Sequence, residues 1–351
     1  MPSSSQAVII AIDAMGGDHG SDVTVAASID FLRNTRKTGK NKHYEIILVG
    51  IEADINTAIA NNKGQDLVTA GTLKIKPASE VVAMDEPPAQ ALKKKKDSSM
   101  RVAINLVKEG IAHAAVSAGN TGALMATARF VLKTIPGISR PAISSTMPVQ
   151  DPNTTTHMLD LGANVDSSPE MLMQFAIMGS VLTEYVDNKT KPSVALLNVG
   201  SEDIKGSDKV KKASVLLSES GLNYVGYVEP DEIYDSRVDV IVCDGFEGNV
   251  ALKASEGTAS MVLSVLKEEF QKTIVSKILA IIAMPVLKSM QKRLDPRRHN
   301  GATLLGLNGI VIKSHGGTDA LGFLHAIEEA RTQADLAVTD HIRKEVLKHI
   351  N

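Results

Sequence analysis

Ala114-Ala115-Val116-Ser117-Ala118-Gly119-Asn120-Thr121-Gly122-Ala123-Leu124-Met125-Ala126 is the stretch whose reading decides the fold. Its first residues are small and apolar, as in a short buried strand ending at Val116. Two glycines then bracket a Ser/Asn/Thr turn, and the Ala/Leu/Met run that follows reads as a helix opening at Thr121. Strand, polar turn and helix start come in that order. Such a corner presents unpaired backbone N–H groups and the positive end of the helix dipole, so it holds an anion without a charged side chain. A tight turn capped by Asn120 or Thr121 with nothing bound fits the same letters.

What gives the corner weight is its repetition. Residues 7–13 form an apolar run ending in Asp13, then Met15-Gly16-Gly17-Asp18-His19-Gly20 and a helical pattern over 22–32. The same grammar returns at strands 44–50, 72–75, 158–161, 193–199 and 238–243, each followed by a Gly- or acid-bearing loop and, in most cases, a helical pattern. The fold class expected is therefore α/β, an open parallel sheet with ligands beyond the carboxyl ends of its strands, where the loops can converge on one crevice. Pro87-Pro88 forbids helix continuation there, and the tail over 320–350 reads as one amphipathic helix covering the sheet. At 351 residues the chain is long enough for one large α/β core or two lobes.

Two stretches stand apart. Lys93-Lys94-Lys95-Lys96 is either a solvated face or an attractor for an acidic partner. Residues 261–292 read as one or two helices, with an apolar run over 278–287 between Lys277 and Lys288 that is too short to span a bilayer. That segment is either a buried or dimer-forming pair or an amphipathic element resting on an anionic membrane surface.

Composition removes several classes. A net charge of −2 and an aromatic fraction of 3% without Trp offer neither a basic face nor stacking platforms for nucleic acid. The lone Cys243 permits no intrachain disulfide and fits a reducing cytoplasm. Met1-Pro2-Ser3-Ser4-Ser5-Gln6 lacks the features of a signal peptide, so the protein is expected to stay inside the cell.

Six motifs in order carry a resemblance: Asp13-Ala14-Met15-Gly16-Gly17-Asp18-His19, Ser117-Ala118-Gly119-Asn120-Thr121-Gly122-Ala123, Asp160-Leu161-Gly162-Ala163-Asn164-Val165-Asp166, Leu197-Asn198-Val199-Gly200-Ser201-Glu202-Asp203, Asp244-Gly245-Phe246-Glu247-Gly248-Asn249 and Lys313-Ser314-His315-Gly316. Together they resemble the phosphate acyltransferases of bacterial phospholipid synthesis, over nearly the whole chain. The resemblance implies that acyl carrier protein thioester and inorganic phosphate become acyl phosphate, which a membrane glycerol-3-phosphate acyltransferase consumes. It also implies a homodimer with a three-layer α/β/α Rossmann-like fold similar to isocitrate and isopropylmalate dehydrogenases and to phosphotransacetylase, a single domain over 1–351, and peripheral membrane contact through a protruding helical pair over 258–300.

The chemistry assigns roles to residues. Phosphate must be stripped of water and aimed at a thioester carbonyl, for which the N–H groups of Gly119 to Gly122 are candidates. A cation or a pair of N–H groups near the tetrahedral oxyanion would lower the barrier, and Lys205 is the candidate; a surface lysine balancing Glu202 and Asp203 is the alternative. His315 can protonate the leaving thiolate or hold phosphate, with His19 competing, although a thiolate leaves readily without a proton. Asn120 joins Lys205 and His315 as the catalytic set. Asp13, Gly16, Gly17, His19, Ser117, Gly119, Thr121, Gly122, Asn164, Asp166, Glu202, Asp244, Gly245 and Asn249 are the binding candidates. No metal and no cofactor are expected, for want of an Asp ladder or a His/Cys cluster. Cys243 reads as packing rather than a nucleophile. An isopropylmalate-type dehydrogenase and a non-enzymatic membrane-docking scaffold are the alternatives; the first lacks a G-x-G-x-x-G after its first strand.

Overall fold

The computed structural model describes residues 7–37, 42–235, 237–293 and 295–350. The opening six residues, on which the targeting expectation rests, lie outside them. Eleven strands are described: β1 Val8–Asp13, β2 Tyr44–Gly50, β3 Leu73–Pro77, β4 Ala114–Ser117, β5 Ala142–Met147, β6 Thr156–Leu159, β7 Ser193–Leu197, β8 Asn223–Val228, β9 Val240–Val242, β10 Ala302–Leu305 and β11 Ile310–Lys313. The helices are α1 Ser21–Lys37, α2 Glu52–Asn61, α3 Gln65–Thr69, α4 Pro88–Lys94, α5 Ser99–Lys108, α6 Thr121–Leu132, α7 Pro169–Val186, α8 Asp208–Glu219, α9 Gly245–Gln271, α10 Ile274–Arg293, α11 Ala320–Asp335 and α12 Val338–Ile350.

All eleven strands join one sheet in the order β3-β2-β1-β4-β11-β10-β5-β6-β9-β7-β8. Strand alternation explains why helices cover both faces. Ile10 and Ile12 of β1 pack with Phe31 of α1, Ile55 of α2 and Phe323 of α11. Ala11 between them faces the other way, toward Met100 and Ile104 of α5 and Leu124 of α6. In the second half Leu159, Val240 and Val242 meet Phe175 of α7, Leu217 of α8 and Ile342 of α12, while Met158 and Ile241 look to the opposite face.

The sheet is mixed, which corrects the expectation of a continuous parallel grammar. Pairings β11/β10, β10/β5 and β5/β6 are antiparallel. Residues 301–309, a run of mostly small residues outside the repeated grammar, contain β10, which pairs Leu304 with Ile143 of β5. Four residues between Gly301 and Gly306, both at positive φ, are too few to display an alternation. The consequence is geometric: β6, β9, β7 and β8 run against β1, β4 and β11, so the two halves send their carboxyl ends toward opposite edges of the ladder.

Other expectations need smaller corrections. Pro88 does not merely end a helix; it occupies the first turn of α4, where a missing N–H costs nothing. The tail is two helices, broken at Ala337 with φ of 49°. α9 and α10 touch each other and stand clear of the core: only Gly245 and Gly248 of α9 are buried, and no residue of α10 is. A window within Ile274–His299 has mean hydropathy 1.5 and is entirely unburied, long and apolar enough to cross a membrane by length and composition. The shorter estimate counted only residues 278–287.

Phe323, with no exposed surface, fixes α11 against β1. Phe323→Ala is expected to lower unfolding free energy by about 3–5 kcal/mol. The check is a urea midpoint that falls while the slope stays constant.

Candidate active site

The loops after β1, β4 and β11 pack against one another. Adjacent parallel pairing sets this up, since Ile12 is in register with Val116, and Ser117 with Lys313. Close approach then demands glycine. A Cβ on Gly16 would come 2.7 Å from Asp13 Oδ2 and 2.8 Å from Gly119 N. One on Gly17, at φ of 88°, would meet Ala118 Cβ and the Gly316 carbonyl, each at 2.9 Å. The Asp18 N–H donates to the Gly316 carbonyl at 3.0 Å, closing the ring of three loops.

Beneath them lies a buried polar floor. The Ser117 hydroxyl donates to Asp13 Oδ2 at 2.6 Å and accepts the Gly119 N–H at 3.0 Å. Asp13 Oδ1 is buried without a partner. Lys313 ends β11 with 8% of its surface exposed, its ammonium donating to the carbonyls of Ala118 (3.4 Å) and Ser314. Burial strips Lys313 of hydration and lowers its pKa to about 8, against the pull of Asp13 and Asp18. Burial likewise raises the pKa of Asp13, against the hydrogen bonds from Ser117 and Ser99.

Over this floor opens α6. Asn120 is its N-cap, the side-chain oxygen accepting the Ala123 N–H at 2.9 Å while the amide donates to the carbonyls of Met84 and Glu86. Thr121 and Gly122 are exposed, and their N–H groups, in the first turn, have no intrahelical acceptor. Gly119 does not join them: its N–H already belongs to Ser117. His315 is exposed on the β11 loop, its Nδ1 accepting the Gly317 N–H at 3.2 Å, so a neutral ring carries its proton on Nε2. Asn300 holds this loop, accepting the His315 N–H at 2.9 Å and donating to Ser314 Oγ at 2.8 Å. His19 is exposed on the β1 loop.

The remaining candidates form a second group, after β6, β7 and β9. Asp160 accepts from the backbone of Ile143, Ala163 and Asn164 and from the Asn164 amide. Burial raises its pKa against those bonds. Asn164 in turn accepts the Gly245 N–H on its carbonyl, which joins the β6 and β9 loops. Asp244 caps α9 and also accepts from the Ser167 N–H and, at 3.1 Å, from Lys209. Burial opposes its charge, but these donors win and hold its pKa low. Asp166 is 93% exposed, 3.4 Å from Lys209. Asn249 stands beside Gly162. Lys205 is about half exposed and ion-paired with Glu202 at 2.7 Å, on a loop braced by the Asn198 amide.

The structure thus brings Asn120 and His315 together with Asp13, Gly16, Gly17, Ser117, Gly119, Thr121 and Gly122. It places Lys205 and Glu202 on the other loop group, six ladder positions from β4. Along the sheet the six loops fall into two groups, because the antiparallel strands reverse its direction between them. Cys243 is 2% exposed, its thiol pKa pushed up by burial. Lys313, Asn300 and Lys209 were missed as site residues. Lys313 carried a signal, a charge closing the apolar run Ile310-Val311-Ile312; Asn300 and Lys209 carried none that a single chain displays.

The fold and the convergent loops define a class. A phosphotransacetylase from Streptococcus pyogenes has a similar structure, with TM-score 0.60 at 17% identity over 94% of this chain and 95% of that one. A branched-chain phosphotransacylase from Enterococcus faecalis V583 aligns with TM-score 0.55 at 10% identity over 93% and 99%. The protein has the α/β architecture of the phosphotransacetylases. In sequence, the family described as fatty acid synthesis protein matches residues 8–341. A phosphate acyltransferase of Legionella pneumophila (strain Paris) is 54% identical over 345 residues, 98% of each chain. One of Alkalilimnicola ehrlichii is 55% identical over 326 residues, 93% of this chain and 92% of that one. The chain belongs to the phosphate acyltransferase family, and it is an enzyme of fatty acid and phospholipid synthesis. Membership sets aside both the dehydrogenase and the non-enzymatic scaffold.

Lys313 provides a test of the floor. Its ammonium deprotonates near pH 8 in the fold but near 10.4 in the unfolded chain, so between those values the unfolded state binds more protons and stability rises with pH. Lys313→Met is expected to raise unfolding free energy at pH 7 by about 1–3 kcal/mol and to flatten that rise. Denaturant titrations at pH 7 and pH 10 check both.

Proposed function

We propose that the enzyme transfers a fatty acyl group from the thioester of acyl carrier protein to inorganic phosphate, giving acyl phosphate and free acyl carrier protein. The observation that carries this reading is the exposed first turn of α6 above the buried Asp13–Ser117–Lys313 floor. Phosphate sits on the Thr121 and Gly122 N–H groups, oriented by donors that do not neutralise it and so leave it nucleophilic. One phosphate oxygen attacks the thioester carbonyl, the C–S bond breaks, and the sulfur leaves as thiolate or takes the Nε2 proton of His315. The Lys313 ammonium offsets the charge that develops on the oxyanion. Asp13 orients Ser117 and, through it, the Gly119 backbone.

Lys205 is the second candidate for the oxyanion cation. It serves only if the β7 loop approaches the β4 loop in the substrate complex, whereas Lys313 needs no such movement. Around Lys205, Asn249, Asp166 and Asp244 the exposed apolar side chains Val165, Val199, Ile204 and Phe246 give the second loop group a surface suited to the acyl chain. Neither reading uses a metal or a cofactor.

The finer architecture belongs to the same proposal: one domain of the isocitrate and isopropylmalate dehydrogenase kind, with residues 258–300 protruding, working as a homodimer. Acyl phosphate is labile and its consumer, a glycerol-3-phosphate acyltransferase, sits in the membrane. A cytoplasmic enzyme in peripheral contact with the bilayer delivers it best. The unburied Ile278, Leu279, Ile281, Ile282 and Val286, with Lys288, Lys292 and Arg293 beyond them, support that contact.

Incubation of the pure protein with acyl carrier protein thioester and phosphate is expected to yield acyl phosphate, trapped as its hydroxamate; no product would defeat the reading. Lys205→Ala is expected to fold normally and keep near-normal turnover; a loss of about 10²-fold or more would give the oxyanion to Lys205. Near-normal turnover in that variant, with Lys313→Met inactive, gives the oxyanion to Lys313. Ile281→Asp is expected to abolish sedimentation with anionic lipid vesicles and to leave turnover in solution unchanged.

A further inference from the structure

Basic side chains from three consecutive helices cluster beside the crevice. Lys93, Lys94 and Lys96 lie exposed at and just beyond the end of α4, Arg129 on α6 and Lys133 immediately after it. Arg101 of α5 ties the group together, donating to the Leu92 carbonyl in α4 at 3.3 Å. Between them stands Phe130, 51% exposed, with the Arg101 guanidinium 5.1 Å and the Lys133 ammonium 4.7 Å from its ring centre. Among the described residues none of these six cations forms an ion pair, although the chain as a whole carries slightly more acids than bases. The adjacent acid, Asp97, is engaged by the N–H and hydroxyl of Ser79.

This face is physically continuous with the crevice. α4 begins against the first turn of α6, where a Cβ on Gly122 would meet the Pro88 ring at 2.8 Å, and Asn120 is bonded to the segment leading into α4. An aromatic side chain held between two cations inside a field of unpaired positive charge is the composition of a protein-docking hot spot. A bilayer would instead select an apolar stripe, and the exposed one on this chain is on α9 and α10, which leave from the other half of the sheet.

We propose that the α4–α6 face docks the acyl carrier protein through acidic side chains of the carrier, with Phe130 as the anchor, so that its thioester enters the neighbouring crevice. This rests on the acyl-transfer reading for the identity of the partner, and on charge and geometry for the surface. Steering by the lysines raises the encounter rate, and Phe130 with Arg101 sets the lifetime of the complex.

The test is the anisotropy of fluorescently labelled acyl carrier protein titrated with the full-length enzyme at low and at physiological salt. The triple variant Lys93→Glu, Lys94→Glu, Lys96→Glu is expected to weaken binding about tenfold or more and to lose most of its salt dependence. Phe130→Ala is expected to weaken it about tenfold with the salt dependence kept. Phosphorolysis of a small uncharged acyl thioester should stay within about twofold of the parent enzyme in both, which separates docking from misfolding and from damage to the crevice. Unchanged carrier binding in both variants would overturn the proposal. So would unchanged carrier binding with loss of anionic-vesicle binding, which would make the face a lipid surface. A parent enzyme that phosphorolyses neither thioester would defeat the acyl-transfer reading instead, and the binding titration would still decide the surface.

Discussion

The Ser117 hydroxyl, donating to Asp13 and accepting from Gly119, is the constraint from which the site follows. It sews the end of β1 to the end of β4 at a depth where water supplies no substitute. An unmade bond in that position takes a close donor away from a buried carboxyl group, a penalty of about 1–3 kcal/mol. Holding the two strand ends this tightly leaves no room for side chains at Gly16 and Gly17, and the β1 loop is pressed against the start of α6. The helix terminus is consequently aimed by the sheet and not by its own cap alone. Lys313, in register beside Ser117, brings a charge into the same layer.

A buried ammonium next to a buried carboxyl is a poor way to stabilise a fold. Its pKa of about 8 records the cost. Retaining such a group where an apolar residue would pack better is the pattern of a site that sacrifices stability for function. The sheet adds a second consequence. Each ladder step turns the strand direction by about 20–25°, so the six steps from β4 to β7 accumulate about 120–150° of twist. That rotation brings two nominally opposed strand directions to within about 30–60° of each other. The loops of the two halves can therefore open in similar directions, one group bearing Thr121 and Gly122 and the other Lys205 and the exposed apolar side chains around it.

Much of this was legible in the chain. Asn120 as cap and Thr121 as helix start follow from local chemistry, and the structure repeats them residue for residue. The strand-loop-helix grammar located β1, β2, β4, β7 and β9 because each is a buried apolar run with a punctuating acid or glycine. β5, β8 and β10 escaped. Ala142–Met147 and Ala302–Leu305 mix small and polar residues, and each owes one of its two ladders to a partner more than a hundred residues away, information that no local window holds. Missing those two antiparallel strands produced the expectation of a continuous parallel grammar. Asn300 and Lys209 act only through tertiary contacts, with Ser314 and with Asp244, and were invisible for the same reason.

The central claim is that the first turn of α6, over the Asp13–Ser117–Lys313 floor, seats the phosphate. The most direct measurement is a phosphate titration of isotopically labelled protein followed at the backbone amides of Thr121 and Gly122. The account predicts saturable shifts at those two amides that vanish in Lys313→Met. Shifts confined to Lys205 and Asn249, with Thr121 and Gly122 unmoved, would contradict it.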